Sequence, residues 1–195
     1  MWTLPKNWSS LRQKCKKWIQ KEQVLDVVLF GSSVRGKRTP RDIDLCILLR
    51  NGQEKRTLEL IQSLHQHLDT LKLKFHLTAL TEETFIQGKE TIIATLLQEG
   101  ISLARGKLFS TRFGLIPYSL FFYSLQGASP SRRVRFHYLL RGRGKRTGVL
   151  STLQGELLRD GIVMVPTENE DTFQEILLQW KVTFTGRRIL AFPLR

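Results

Sequence analysis

Several features that define other protein classes are missing from this sequence. No apolar run reaches the roughly eighteen residues that a membrane-spanning helix needs. The first residues lack the continuous apolar segment of a signal peptide. Cys15 and Cys46 are the only cysteines, too few for a disulfide framework or a cysteine-rich zinc site. We therefore expect a cytoplasmic protein without membrane association.

Acidic residues are scarce, and none lies between Glu99 and Glu156. The chain has 31 Lys and Arg against 17 Asp and Glu, and this net charge of +14 indicates a polyanionic partner. The acid-free stretch contains the following cations: Arg105, Lys107, Arg112, Arg132, Arg133, Arg135, Arg141, Arg143, Lys145 and Arg146. Since their mutual repulsion does not favour folding, we expect nucleic acid, RNA above all, to neutralise them.

Aromatic residues lie among these cations: Phe121, Phe122, Tyr123, Phe136, His137 and Tyr138. Such a mixture suits phosphate contacts combined with base stacking. The helical spacing of most of these aromatic residues is explained by a place in the core. A solvated surface does not explain the arginines in the same way. We predict nucleic-acid contacts from Arg132, Arg133, Arg135, Arg141, Arg143, Lys145 and Arg146.

The stretch LFGSSVRGKRTPRDIDLCILL, residues 29–49, places two carboxylates one residue apart beside an apolar run. Residues 24–30 and 45–49 have the length and composition of buried strands. Because residues two apart on a strand point to the same side, Asp42 and Asp44 project together. Mg²⁺ typically takes one or two carboxylates plus substrate phosphates, so the pair predicts a metal site.

The Gly-Ser turn adds a phosphate site. Gly31 permits a tight turn and close approach of a ligand, while Ser32 and Ser33 stand where a helix start offers free N–H groups to an anion. Positive charge around the turn comes from Arg35, Lys37, Arg38 and Arg41. Each feature alone also fits an ordinary helix cap or solvated turn. Their combination predicts nucleotide binding by Gly31, Ser32, Ser33 and Arg35.

Phe30-Gly31-Ser32, Arg35-Gly36, Pro40 and Asp42-Ile43-Asp44-Leu45 resemble the signature of the DNA polymerase β nucleotidyltransferase superfamily, above all its minimal nucleotidyltransferase members. The resemblance implies a mixed sheet with flanking helices. It also implies transfer of a nucleoside monophosphate from an NTP, ATP most of all, with release of pyrophosphate. Carried over, Gly31 and Ser32 hold the triphosphate, and Asp42 and Asp44 bind Mg²⁺ or Mn²⁺. Ser33 and Arg41 depart from the small members, which often carry arginine and serine there.

Family members usually have a third carboxylate on a following strand. The next strand candidate, residues 72–80, contains no acid, and His76 occupies the place of that carboxylate. We include His76 among the catalytic candidates as a base or metal ligand, although a lone strand histidine often makes only ordinary hydrogen bonds. Asp69, Glu82 and Glu83 lie just outside the strand as substitutes.

Apolar periodicity predicts the remaining elements of the first half. A basic N-terminal helix carries Leu11, Cys15, Trp18 and Ile19 on one stripe, and residues 54–71 read as a helix with apolar residues at Leu58, Ile61, Leu64 and Leu68. Residues 81–100 read as a helix pair. We predict an α+β nucleotidyltransferase-like domain with a mixed sheet at residues 1–106, and a smaller basic α+β module at 107–195.

In that module, residues 117–125 and a helix opened by Ser129-Pro130 suggest a helix-turn-helix. Asp160-Gly161 predicts a hairpin turn, Thr167 to Glu170 a capping box for a helix to Trp180, and residues 181–192 a strand.

The leading hypothesis is a nucleotidyltransferase whose acceptor is RNA or another nucleic acid held by the basic module. Two alternatives stay open. One is an AMPylating antitoxin-type enzyme with a protein acceptor. The other is a degenerate fold that binds RNA without catalysis.

Overall fold

A computed structural model describes residues 8–34, 42–88, 91–144 and 146–192. The described residues divide into two compact units, the first ending at Gly114 and the second beginning at Leu115. Phe109 belongs to the first unit, because its buried ring packs against Phe85 and Phe113 at centroid distances of 5.7 and 5.5 Å.

The first unit is a mixed sheet with helices on both faces. Its elements are α1 (Trp8–Glu22), β1 (Asp26–Phe30), β2 (Ile43–Leu49), α2 (Thr57–Leu68), β3 (Phe75–Thr81), α3 (Glu82–Gln87), α4 (Thr91–Glu99), β4 (Ile101–Ser102) and β5 (Lys107–Leu108). The strand order is β3-β2-β1-β4-β5, in which β2 and β3 are parallel and the other neighbours antiparallel. The expected α+β fold with a mixed sheet is confirmed.

Alternating side chains of the strands separate two cores. Val27 and Leu29 pack with α1 and α2, while Val28 faces the other way, toward Leu96 of α4. The predicted stripe of α1 is buried throughout, at Leu11, Cys15, Trp18 and Ile19. Both faces of the sheet are therefore covered, and the chemistry is left to the ends of the strands.

The apolar residues of α2 are not all buried. Leu60, Leu64 and Leu68 are buried, whereas Leu58 is 76% exposed. Residues four apart share a helix face, and Leu58 lies two positions before the first of them, on the opposite side. The helix is also shorter than expected, because residues 54–56 and 69–71 form 3₁₀ turns at its ends.

The second unit is an antiparallel sheet with helices packed on it. Its elements are β6 (Ile116–Ser124), α5 (Pro130–Arg141), β7 (Gly142–Arg143), β8 (Arg146–Thr147), α6 (Val149–Thr152), β9 (Glu156–Arg159), β10 (Ile162–Pro166), α7 (Glu170–Gln179) and β11 (Thr183–Ala191). The sheet order is β11-β6-β10-β9, and β7 pairs with β8 in a separate hairpin. Phe121, Phe136 and Phe173 lie in its core.

Two sequence predictions for this unit are wrong. Residues 116–124 form a central strand, so the helix-turn-helix interpretation fails. Residues 167–169 form a 3₁₀ turn before α7, and the Asn169 side chain bonds to the Leu153 carbonyl instead of capping the helix. The Ser129 cap of α5 and the hairpin at Asp160-Gly161 are confirmed. None of the described helices is long and apolar enough to cross a membrane.

Candidate active site

The turn after β1 lies directly against Asp44. Gly31 has a φ of +77°, a left-handed conformation that glycine adopts without strain. A Cβ atom at this position would lie 2.4 Å from Oδ2 of Asp44. Both the backbone conformation and the lack of space therefore require glycine. The turn and the second predicted aspartate form one small site.

Sheet register brings His76 to the same place. β2 and β3 are parallel, with Asp44 opposite His76, and Nδ1 of His76 lies 3.3 Å from Oδ1 of Asp44. The Asp44 side chain is 27% exposed and that of His76 is 67% exposed. A ligand from solvent can therefore reach both groups. The structure places this histidine where the sequence reasoning located a third functional side chain.

Asp42 stands at the entrance of β2. It is exposed, and the following residue is fixed by a 2.9 Å hydrogen bond from the Ile43 N–H to the Lys74 carbonyl. Asp42 therefore lies two residues from Asp44, at the strand end nearest the Gly31 turn.

The two serines of the turn have different environments. Ser33 is buried, and its hydroxyl donates to the Phe30 carbonyl at 3.2 Å, which closes the turn. Ser32 is half-buried. Of the two serines, Ser32 is the more accessible to a phosphate. The predicted ligand Arg35, together with Lys37, Arg38 and Arg41, lies outside the described residues.

The acidic residues considered as substitutes for a third carboxylate are engaged elsewhere. Asp69 lies 3.2 Å from His65 on α2. Glu82 follows the far end of β3 and accepts a hydrogen bond from the Asn51 N–H, and Glu83 accepts one from Gln87. These contacts leave His76 as the group beside Asp44 on the neighbouring strand.

The donor set determines which metal the site suits. Within the described ranges, no group of three or more His, Cys, Asp or Glu side chains is placed to hold a metal ion. Asp42 and Asp44 instead offer two carboxylates beside a phosphate-accessible turn. This arrangement fits Mg²⁺ or Mn²⁺ that completes its coordination with substrate phosphates and water.

Glu99 is a residue that the sequence reasoning did not select. It is 1% exposed at the end of α4, and its Oε1 accepts a hydrogen bond from the Gly31 N–H at 3.2 Å. The sequence did contain a signal for it, because Glu99 is a carboxylate at the end of a largely apolar helix, directly before Gly100. Carboxylates are rarely buried unless they have a partner. Glu99 therefore holds the backbone of the turn through the Gly31 N–H.

An apolar cavity of about 180 Å³ lies at the other end of the same sheet. Leu25, Leu48, Phe85, Phe109 and Phe113 line it. Leu25 precedes β1 and Leu48 lies near the end of β2, so this cavity is remote from Gly31 and Asp44. It is not part of the candidate active site.

The predicted nucleic-acid contacts of the second unit divide into three groups. Arg132 donates through Nη2 to the Trp180 carbonyl, and Arg133 donates to the Ala128 carbonyl at 3.0 Å. Arg135, Arg143 and Arg146 line an open groove. Arg141 is exposed outside the groove lining, and Lys145 lies outside the described residues.

Residues 13–105 match the family described as "Polymerase beta, Nucleotidyltransferase". The matched region includes Gly31, Asp42, Asp44, His76 and Glu99. The N-terminal half of this chain is therefore a nucleotidyltransferase domain of the polymerase β family, as its motif and mixed sheet indicate. No curated protein matches the chain in sequence.

Three solved structures are similar to part of the chain. One contains a tri-AMPylated HEPN toxin of Shewanella oneidensis with an MNT antitoxin; it is 19% identical, covers 49% of this chain and 71% of that chain, and has a TM-score of 0.33. A toxin–antitoxin MntA–HpeT mutant is 20% identical over 47% and 71%, with a TM-score of 0.35. A toxin–antitoxin with AMP-PNP is 21% identical over 47% and 71%, with a TM-score of 0.34. Likeness at this level says nothing of substrate or partner.

Proposed function

We propose that the first unit transfers a nucleoside monophosphate from an NTP, ATP most of all, to a hydroxyl group of an acceptor. The acceptor oxygen forms a bond to the α-phosphorus, and the bond from that phosphorus to the bridging oxygen breaks. Pyrophosphate leaves with the electron pair, and the hydroxyl proton passes to a base. The meeting of the Gly31 turn, Asp44 and His76 within a nucleotidyltransferase domain supports this proposal.

Each residue has a distinct role in this proposal. The turn that begins at Gly31 would bring the triphosphate next to Asp44, and Ser32 would add a hydroxyl donor. Asp42 and Asp44 would hold Mg²⁺ or Mn²⁺, and the bound ion would neutralise charge that develops on the phosphate oxygens. In the tautomer that carries its proton on Nδ1, His76 would donate to Asp44, and its Nε2 would accept the proton of the acceptor hydroxyl.

Nucleic acid, RNA in particular, is the acceptor that the charge of the chain favours. The net charge is +14, and the stretch between Glu99 and Glu156 has no acid. Arg135, Arg143 and Arg146 are exposed around a groove of the second unit. Such a surface attracts phosphates by a term that does not depend on base sequence.

The test is incubation of the purified chain with each α-labelled NTP, Mg²⁺ or Mn²⁺, and total RNA or a protein extract. We expect label in RNase-sensitive material together with stoichiometric pyrophosphate. Asp42→Asn with Asp44→Asn should abolish transfer, whereas Asp171→Asn, on the exposed first turn of α7, should not. Pyrophosphate release that is absent with every NTP, metal and acceptor would refute the proposal and favour a degenerate RNA-binding fold.

The role of His76 has its own test. His76→Ala should lose at least tenfold in transfer rate while NTP affinity changes little, because general-base catalysis typically contributes 10²–10⁴-fold. His65→Ala removes a comparably exposed histidine from α2 and should leave the rate unchanged. If His76→Ala transfers as fast as the parent, the histidine is an ordinary strand residue.

A protein acceptor is the second candidate, which would make the enzyme an AMPylating one. Ile86 and Phe113 border the apolar cavity of the first unit and are 82% and 44% exposed. Exposed apolar side chains around a cavity are typical of protein contact surfaces. Label found in protease-sensitive and RNase-resistant material would select this acceptor over RNA.

A further inference from the structure

The groove of the second unit combines cations with aromatic faces. It has a volume of about 790 Å³ and lies along α5, the β7–β8 hairpin and the end of α7. The residues that define it are Arg135, Tyr138, Arg143, Arg146 and Trp180. None of the described residues that line it is acidic.

Two of these rings are accessible and held in place. Tyr138 is 38% exposed, and the Arg143 guanidinium lies 4.9 Å from its ring centroid. Trp180 is half-buried and packs against the core residue Phe136 at a centroid distance of 5.5 Å. Phe121 and Phe136, by contrast, are buried in the core and unable to stack with a base.

The arginines around the groove differ from those that support the fold. Arg132 and Arg133 donate to the carbonyls of Trp180 and Ala128 and so fix the start of α5 and the end of α7. Arg135, Arg143 and Arg146 are exposed side chains. Long flexible cations on a groove wall can move to meet phosphates without loss of the fold.

We infer that this groove binds single-stranded RNA. An unpaired base stacks on the Tyr138 face in place of the Arg143 guanidinium, which moves to a neighbouring phosphate. Arg135 and Arg146 contact flanking phosphates. A duplex cannot supply the base, because its bases are paired and stacked on each other. RNA is favoured over DNA because free bases are the normal state of its loops and ends.

The claim that the bound RNA is the acceptor rests on the proposed function. The claim that the groove binds RNA does not. The experiment therefore measures binding without NTP. Fluorescence anisotropy of a labelled single-stranded RNA of about 12 nucleotides, a length within known site sizes, is followed from ~50 to ~200 mM salt. Duplex RNA of the same sequence is measured alongside.

Charge and stacking are separated by variants of the full chain. Arg143→Gln with Arg146→Gln should reduce the slope of log K against log salt by about 1.4, since each contact to a single strand contributes about 0.7. Arg159→Gln with Arg187→Gln removes two exposed arginines from the sheet of the same unit and should leave the slope unchanged. Tyr138→Leu should weaken binding about 5- to 150-fold at a constant slope. Circular dichroism checks that each variant is folded.

Equal effects of the groove and control arginine pairs would overturn the inference. So would duplex RNA that binds as tightly as the single RNA strand. Absence of binding to every nucleic acid at ~50 mM salt would also overturn it and would favour a protein partner. Loss of nucleotidyl transfer with intact RNA binding would refute the proposed function alone.

Discussion

The turn after β1 accepts only glycine at position 31. Gly31→Ala should combine two effects: backbone strain at φ +77° and displacement of the Asp44 carboxylate, which lies 2.4 Å from the new Cβ. We expect a loss of about 1–2 kcal/mol in free energy of unfolding and at least tenfold weaker binding of Mg·NTP. Urea titration and isothermal calorimetry measure the two effects.

Gly52→Ala is the matched control for this change. Gly52 also has a positive φ, +87°, but nothing lies within 4 Å of an added Cβ. It should therefore lose similar stability and keep its nucleotide affinity. If both variants bind Mg·NTP equally well, the contact between the turn and Asp44 has no role in the site.

Glu99 should act on the site through the Gly31 backbone. Glu99→Ala removes the acceptor of a buried N–H and should lower the free energy of unfolding by about 1–3 kcal/mol. Glu99→Gln keeps an oxygen acceptor and should lose less. If Glu99 positions the turn for the nucleotide, Glu99→Ala should also lose more nucleotide affinity than Glu99→Gln. Identical affinities in both variants would make Glu99 a purely structural residue.

Asp26 is a buried carboxyl at the start of β1 that predicts a pH dependence. Burial raises its pKa, although hydrogen bonds from Ser102, Ala104 and Val27 and the charge of Arg112 act in the opposite direction. Because the folded pKa exceeds the unfolded one, the folded state binds more protons above about pH 4, and stability falls as pH rises through the folded value.

Asp26→Asn lacks this titration. The free energy of unfolding of the variant, relative to the parent, should therefore improve as pH rises from about 4 to about 7. Urea unfolding at a series of pH values measures the difference. Parallel pH profiles for the two proteins would contradict the predicted role of Asp26.

At the scale of elements, the sequence predicted those helices and strands whose residues carry a local signal such as an apolar run, a turn or a helix cap. The β1, turn and β2 segment is evident from apolar runs and a Gly-Ser turn, and the Ser129-Pro130 start of α5 from its cap. The strand β6 was missed because its buried positions are Pro117, Ser119 and Phe121, which show no apolar alternation. Its partners β10 and β11 are also far away in sequence, and proline is unusual in a central strand.

Two buried thiols lie on different elements of the first unit, so their reactivity measures the opening of each element separately. Cys15 lies in α1 and Cys46 in β2, and burial raises the pKa of each thiol to about 12. We expect both to resist a thiol reagent at pH 8 in native conditions and to react fully in denaturant. Rapid native labelling of Cys15 alone would mean that α1 opens independently of the sheet.

At the scale of the whole molecule, the sequence showed an excess of positive charge but not which arginines support the fold and which face a groove. The arginines predicted to contact nucleic acid all fall in one acid-free stretch, yet the structure places some in carbonyl contacts and others at a groove. That division depends on where α5, the β7–β8 hairpin and α7 meet, which composition does not reveal. The position of His76 beside Asp44 was more predictable, because the resemblance to the family placed a third functional side chain on the next strand, and that strand pairs with β2 so that His76 lies opposite Asp44.

The central claim is that Asp42 and Asp44 form a metal-dependent nucleotide site in the first unit. The most direct test is calorimetric titration of ATP, with Mg²⁺ or Mn²⁺ and then with EDTA, into the parent and the Asp42→Asn, Asp44→Asn double variant. The account predicts metal-dependent binding by the parent and at least a tenfold loss in the variant. It also predicts an unchanged or slightly higher Tm for the variant, since two neighbouring like charges are removed. Binding of Mg·ATP by a folded double variant with the affinity of the parent would contradict the account.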